Sequence, residues 1–149
     1  MAGKNKVSKS VRILFDDSGG TARDLTGDLV PDSLSGGGFQ FDQVDMTGLS
    51  ESVYNYAAGL AQSTITGQFH MNDTATTGAY TVLTGQQGKA GTLTLQFGSA
   101  GAAPTTNDPE WEGEYVLVDC SASLANGRVV LAATWRPSGA TPPAWGTVA

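Results

Sequence analysis

Asn126-Gly127 is the feature that most constrains the fold, because it lies between two segments of strand-forming residues. Both residues tolerate the positive φ angles of a type I′ turn, whose twist matches that of two antiparallel strands. Residues 111–124 and 128–135 are therefore predicted to pair as a β-hairpin. The first segment becomes serine-rich in its second half, which predicts a bulge or bend along that strand.

Alternation of apolar and polar side chains predicts further strands before the hairpin. Phe39 and Phe41 share one face of such a segment. Ile65, Phe69 and Met71 form the apolar face of another. The strands expected outside the hairpin are residues 11–16, 39–46, 63–71 and 92–97.

Helix is a minor component of the predicted structure. Residues 77–84 are expected to form one short α-helix, and residues 50–58 are a second candidate. Glycine supplies 20 of the 149 residues and charged residues only 15%. This composition favours a turn-rich β protein over a helix bundle.

The length of 149 residues predicts one domain, which is expected to carry an extension at each end. Residues 1–10 are expected to be a flexible basic N-terminal arm. Residues 11–137 are expected to be mainly β, forming a β-sandwich or partly closed barrel of antiparallel strands with the one short helix. Residues 138–149, which include Pro142 and Pro143, are expected to be an extended C-terminal tail.

The charges are unevenly distributed along the chain. The formal net charge is −6, and the acids concentrate in residues 16–51 and 108–119. Such an acidic body repels nucleic acid instead of binding it. Lys4, Lys6 and Lys9 make the N-terminal arm basic, which favours solvent exposure or contact with an acidic neighbour.

The sequence contains few groups for catalysis or metal binding. Cys120 and His70 are the single residues of their types, which excludes a disulfide within the chain and a zinc cluster. No Gly-x-Ser-x-Gly segment surrounds a serine. We expect no enzymatic activity, no cofactor and no metal. The sequence also lacks an apolar stretch of about eighteen residues and the apolar segment of a secretory signal, so no membrane contact is expected.

The central segments resemble a known family. Val44-Asp-Met-Thr-Gly-Leu-Ser-Glu51 is followed by Tyr56-Ala-Ala-Gly-Leu60 and then by Thr64-Ile-Thr-Gly-Gln-Phe69. In this order, the three segments resemble the tail tube proteins of long-tailed bacteriophages. The likeness covers about residues 11–137, with residues 77–84 at the position of that family's short helix.

The resemblance implies a structural protein of the virion that is made in the host bacterial cytoplasm. Tail tube proteins form six-membered rings that stack into a tube, and DNA passes through the tube without specific binding. The implied partners are copies of the chain itself, together with tail-tip and tail-terminator proteins. An acidic lumen suits the net charge, because like charge prevents phosphate contacts.

On this resemblance, specific residues are assigned to two surfaces. Polar strand positions are expected to face water or the lumen, and these are Gln40, Asp42, Thr64, Thr66, His70, Glu112 and Glu114. The basic arm and residues 47–59 are expected to form contacts between rings. The candidates there are Lys4, Lys6, Lys9, Thr47, Glu51, Tyr54 and Tyr56.

Two alternatives remain open at the level of sequence. Capsid decoration proteins and other minor virion proteins have similar β-sandwich folds, so a role on the capsid is one of them. A ligand-binding β-sandwich is the other, but it would need a platform of clustered aromatic residues. Trp111, Trp135 and Trp145 instead fall at a strand start, a strand end and the tail.

Overall fold

The computed structural model describes Lys6 and residues 8–149. In these residues the regular structure consists of nine β-strands, one α-helix and two 3₁₀ helices, Ser8–Ser10 and Thr26–Asp28. The strands are β1 (Val11–Asp16), β2 (Ala22–Asp24), β3 (Gln40–Asp45), β4 (Tyr56–Gln62), β5 (Ile65–His70), β6 (Ala90–Phe97), β7 (Pro109–Ala125), β8 (Arg128–Pro137) and β9 (Ala144–Thr147). The helix α1 (Ala79–Gly85) follows β5. Most of the regular structure is therefore strand, as predicted.

Seven strands form one antiparallel sheet in the order β2-β1-β6-β7-β8-β5, with β9 paired to β7. Strands β2 and β5 are the ends of this order, so the sheet formed by the described residues does not close into a barrel. The long strand β7 pairs with β9 through residues 109–112 and with β8 through residues 115–125. Strand β7 therefore joins β6 along one edge to β8 and β9 along the other.

The predicted hairpin and its bulge are confirmed. Asn126 and Gly127 have φ angles of 52° and 77°, as a type I′ turn requires. The pairing of β7 with β8 shifts register between Leu117 and Asp119. The intervening Val118 is half exposed, because the extra residue of a bulge has no partner opposite it.

One face of the sheet carries the hydrophobic core. Trp111, Tyr115 and Trp135 are its largest buried side chains, and each is at most 1% exposed. Helix α1 covers part of this face with the buried Val82 and Leu83. The residues of α1 confirm the predicted helix to within two positions.

Strands β3 and β4 form a separate two-stranded ribbon that pairs only with itself among the described residues. We call residues 40–62 the ribbon: β3, the connecting tip of residues 46–55, and β4. Every residue of β3 is exposed, as is every residue of β4 except Gly59. The second candidate helix, residues 50–58, is therefore wrong, because this segment is the tip and the start of β4.

Two further expectations need correction. Met71 follows β5 and is 41% exposed, so it does not extend the buried face of Ile65 and Phe69. The predicted C-terminal tail contains β9, which pairs residues Ala144–Thr147 with the start of β7. A proline-rich approach hides this strand in the sequence, and its pairing partner is more than thirty residues away.

Candidate functional site

The ribbon is held in shape by its own side chains. Gln62 Nε2 donates to Asp42 Oδ1 at 2.7 Å across the two strands. A Cβ at Gly59 would lie 3.1–3.2 Å from atoms of Val44 and Asp42, so glycine allows the strands to approach there. Both predicted lumen candidates of this segment, Gln40 and Asp42, therefore lie on the ribbon and not on the main sheet.

The tip of the ribbon is closed by a network around Thr47. The backbone amide of Thr47 donates to Asp45 Oδ1 at 2.9 Å, and Thr47 Oγ1 accepts from the backbone amide of Asn55 at 2.8 Å. Hydrogen bonds from Thr47 hold the pKa of Asp45 below its usual value. The backbone amide of Met46 donates to the Asn55 carbonyl at 2.7 Å. The tip is thus a turn closed by hydrogen bonds, and residues 48–54 extend from it.

The ribbon and its first flanking residue carry nine of the fifteen large hydrophobic side chains that are exposed in the described chain. A concentration of exposed apolar side chains of this kind marks an interface with another molecule. The exposed fractions of Leu49 and Leu60 are 107% and 80%, so these side chains touch almost nothing in their own chain. The nine are Phe39, Phe41, Val44, Met46, Leu49, Val53, Tyr54, Tyr56 and Leu60.

Four of the predicted ring-contact residues lie on the ribbon together. They are Thr47, Glu51, Tyr54 and Tyr56. The rings of Tyr54 and Tyr56 stack with their centroids 6.1 Å apart, and both side chains are more than half exposed. Stacked, rigid tyrosines contribute large contact area at low entropic cost, which suits a protein interface.

Aromatic packing fixes the base of the ribbon to the sheet. Phe39 meets Trp111 edge-on with ring centroids 5.1 Å apart. Trp111 also contacts Trp145 of β9, at 5.0 Å between centroids. The ribbon therefore leaves the sheet at a defined position beside β9.

The face of the main sheet opposite the core is acidic. We call the outward residues of β1, β6 and the first half of β7 the acidic sheet face. Thr94 Oγ1 donates to Glu112 Oε2 at 3.0 Å and Gln96 Nε2 donates to Glu110 Oε2 at 2.9 Å, so cross-strand pairs order two of its carboxylates. The charged residues of the acidic sheet face are Arg12, Asp16, Glu110, Glu112 and Glu114.

The strand register places other lumen candidates on the same side of the sheet. Thr66 lies opposite Thr134 of β8, and His70 follows it by four residues on β5. Glu112 and Glu114 lie on this side through β7. Thr64 is exposed in the connection between β4 and β5.

Lys6, in the described part of the basic arm, contacts its own chain. Lys6 Nζ donates to Ser99 Oγ at 2.6 Å and to the Phe97 carbonyl at 3.1 Å, and it forms an ion pair of 3.3 Å with Asp108. A backbone hydrogen bond from Thr105, more than Lys6, holds the pKa of Asp108 below its usual value. Lys4 lies outside the described residues. The ammonium group of Lys6 is thus already hydrogen-bonded and ion-paired within its own chain.

A groove of about 650 Å³ opens beside the base of the ribbon. Side chains from β1, β6, β9 and the segment before β3 line it, so no single stretch of sequence indicates it. Exposed Lys9 lies at its edge. Its apolar lining consists of Val11, Leu29, Pro31, Leu34, Leu95, Phe97 and Trp145.

The single cysteine, Cys120, is a free thiol. Burial, with a smaller effect of Asp119, raises the pKa of the half-buried Cys120 thiol. Within Lys6 and residues 8–149, no three His, Cys, Asp or Glu side chains are grouped to hold a metal ion. In the same residues, no helix has the length and apolar character needed to cross a membrane.

Sequence comparisons find no family model and no curated protein that matches the chain. Structural comparison does find a match, to a chain from the tail of an empty GTA particle, a structure computed with helical refinement and C6 symmetry. The TM-score is 0.66 at 18% sequence identity, and the match covers 96% of this chain and 98% of the other. The chain therefore has the fold of that chain, and the predicted mainly β fold of antiparallel strands is confirmed.

Proposed function

We propose that this chain is a structural tail tube subunit, in which six copies form a ring and the rings stack into a hollow tube. The observation that carries the proposal is the ribbon, whose large apolar side chains are exposed in the single chain. Burying apolar surface stabilises an assembly by about 25 cal/mol per Å². Neighbouring copies supply the cover that a monomer lacks.

The fold of the matched tail chain supports the same function. That chain belongs to a tail with C6 symmetry, and the match spans nearly the full length of both chains. A contact between two different surfaces of the same subunit is heterologous, so it repeats from copy to copy. Within a ring the repeat closes after six copies, and between rings it continues as a tube.

The acidic sheet face lines the lumen in this proposal. It carries four carboxylates against one guanidinium, and Arg12 is already paired with Asp24 at 3.1 Å. Fixed negative charge repels the phosphates of DNA, so DNA slides past the wall without specific binding. Gln40, Asp42 and Thr64 are proposed to face water near the ends of each ring.

The proposed tube also implies the subunit's place in the virion, its site of synthesis and its partners. The subunit acts as a building element of the virion tail and performs no catalysis. It is synthesised in the cytoplasm of the host bacterium, and the ends of the tube bind tail-tip and tail-terminator proteins. The contacts between rings involve the ribbon residues Thr47, Glu51, Tyr54 and Tyr56.

Negative-stain electron microscopy of the purified chain across a concentration series tests the proposal. We expect rings at low concentration and hollow tubes at higher concentration. The diameter should stay constant while the tube length increases, because only the contact between rings is open-ended. A chain that stays monomeric at every concentration and salt condition, or that forms small oligomers binding only to empty capsids, would contradict the tube function.

A further inference from the structure

The groove beside the base of the ribbon has no occupant within its own chain. It holds about 650 Å³ between β1, β6, β9 and the loop of residues 29–37. This volume is comparable to that of a small-molecule site, and it accommodates two or three large side chains. Seven apolar residues line it, so burial of an apolar occupant in the groove would be favourable.

The tip of the ribbon has the complementary surface. Leu49, Val53 and Tyr54 are all at least 74% exposed and protrude from the turn that Thr47 closes. Glu51 lies between them in the sequence and is exposed. The tip therefore offers a few large apolar side chains around one carboxylate.

The tip cannot reach the groove of its own chain. Gly36 and Gly37 line the groove and immediately precede the ribbon. The six residues of β3 separate base from tip, a distance of about 20 Å at about 3.3 Å per residue. The tip that fills a groove must belong to another copy.

Charge favours the same pairing. The ribbon contains Asp42, Asp45 and Glu51 and no basic residue. Lys9, at the edge of the groove, has no ion-pair partner among the described residues, although Asp32 also lines the groove. An acidic tip approaching this edge would meet an available ammonium group.

We propose that the ribbon tip of one copy docks in the groove of a neighbouring copy, with Glu51 of the tip paired to Lys9 of the receiving chain. The inference rests on the proposed tube function and assigns the two surfaces that join its subunits. Because tip and groove are different surfaces, each copy both donates a tip and receives one. Such a contact propagates from subunit to subunit.

A charge exchange between the two residues tests the pairing. We expect Lys9→Glu and Glu51→Lys each to raise the concentration needed for assembly about tenfold, since each places like charges together. The double variant should return that concentration close to the wild-type value. Light scattering measures the threshold, and electron microscopy identifies the product. A double variant that assembles no better than the worse single variant would overturn the pairing.

A substitution that fills the groove with a side chain tests the docking site separately. A Cβ at Gly37 would lie 3.6 Å from Leu95, 3.9 Å from Phe97 and 4.0 Å from Trp145, which is ordinary contact distance. Gly37→Leu should therefore fold and fill the groove. Gly19→Leu is the matched control, because Gly19 lies in the turn beyond the far end of β1 and its Cβ would meet only Asp17. We expect Gly37→Leu to stay unassembled at concentrations where Gly19→Leu forms tubes.

The outcomes separate the two proposals. If the wild-type chain never assembles, the tube function and the docking both fail. If the wild-type chain and a folded Gly37→Leu variant form the same tubes, the tube function stands and the docking is overturned. The groove would then be available to a small apolar ligand. Circular dichroism of Gly37→Leu checks the fold, and the charge exchange still decides the matter if this variant is misfolded.

Discussion

Tyr115 joins the few polar atoms in the middle of the core. Its hydroxyl accepts a hydrogen bond from Trp111 Nε1 at 2.7 Å and lies 2.7 Å from Ser63 Oγ. All three residues are less than 5% exposed, so water cannot replace these bonds. The alternation in the sequence indicates that Trp111 and Tyr115 share a face, but it does not indicate that Ser63 reaches them from the connection between β4 and β5.

Tyr115→Phe should lower the free energy of unfolding by about 1–3 kcal/mol, because it leaves Trp111 Nε1 and Ser63 Oγ without a partner in the core. Urea unfolding below the assembly threshold measures this change. Tyr80→Phe is the matched control, since Tyr80 is 40% exposed. Equal losses in the two variants would contradict the role assigned to the buried network.

Asp17 makes the stability depend on pH. It accepts hydrogen bonds from the backbone amides of Thr21 and Gly19 and from Arg23 Nε. These bonds, the one from Thr21 foremost, hold the pKa of Asp17 below its ordinary value of 3.8. A carboxyl group of this kind stabilises the folded state above its unfolded pKa, and the contribution is lost as the pH falls through the folded pKa.

We therefore expect the Tm to decrease as the pH is lowered below about 4. Asp17→Asn should have a lower Tm than wild type at neutral pH and a weaker dependence on acid. Thermal unfolding at about pH 6 and about pH 3 compares the two chains. A variant that loses as much Tm as wild type over this interval would show that other groups control the acid transition.

At the scale of elements, local signals explain which parts of the fold could be predicted. The turn at Asn126-Gly127 and the helix at residues 79–85 are specified by neighbouring residues, and both follow from the sequence. Strands β2, β4 and β9 do not follow from the pattern of the sequence, and β2 is only three residues long. β4 is exposed on both faces and shows no alternation, and β9 is four residues long and pairs with a distant strand.

Gly127→Ala tests the hairpin turn. The φ of Gly127 is 77° and no atom lies within 4 Å of an added Cβ, so the cost arises from backbone conformation alone. We expect a loss of about 1–2 kcal/mol in the free energy of unfolding. Gly27→Ala is the control, because Gly27 has equal space and no positive φ. Urea denaturation should show the difference, and equal stabilities would contradict a type I′ constraint.

Leu60→Thr tests whether the apolar surface of the ribbon serves assembly or folding. Leu60 is 80% exposed, so the monomer should change by less than about 0.5 kcal/mol, and threonine keeps the β-propensity of the strand. The threshold concentration for tube formation should rise several-fold. In contrast, Leu93→Thr in the buried core should destabilise the monomer by about 2–4 kcal/mol. If Leu60→Thr destabilises the monomer, the apolar surface of the ribbon serves folding and not assembly.

At the scale of the whole molecule, charge and apolar surface lie on different parts of the structure. The acidic sheet face is built on the rigid sheet, whereas the exposed apolar residues concentrate on the ribbon. The acidic composition of the sequence indicates that the molecule has an acidic surface. The segments at residues 44–60 indicate where the exposed apolar surface lies. The groove could not be predicted, because its walls come from residues as far apart as Lys9 and Trp145.

Reversing one charge on the acidic sheet face should make assembled tubes retain DNA. Glu112→Lys adds one cation per subunit, and the repeat of subunits multiplies it along the lumen. Asp73→Lys makes the same change of charge at an exposed loop position outside the sheet. We expect co-sedimentation of short DNA with Glu112→Lys tubes at low salt, and release at high salt. Equal retention by both variants would contradict a luminal position for Glu112.

The position of Trp145 has a consequence for the timing of assembly during synthesis. Trp145 forms one wall of the groove and covers Trp111, yet it is translated more than eighty residues after the ribbon. A growing chain therefore exposes its apolar ribbon long before its own groove is complete. If the proposed docking holds, a chain can receive the ribbon tip of a neighbour only after β9 has paired with β7 and placed Trp145 in the wall of the groove.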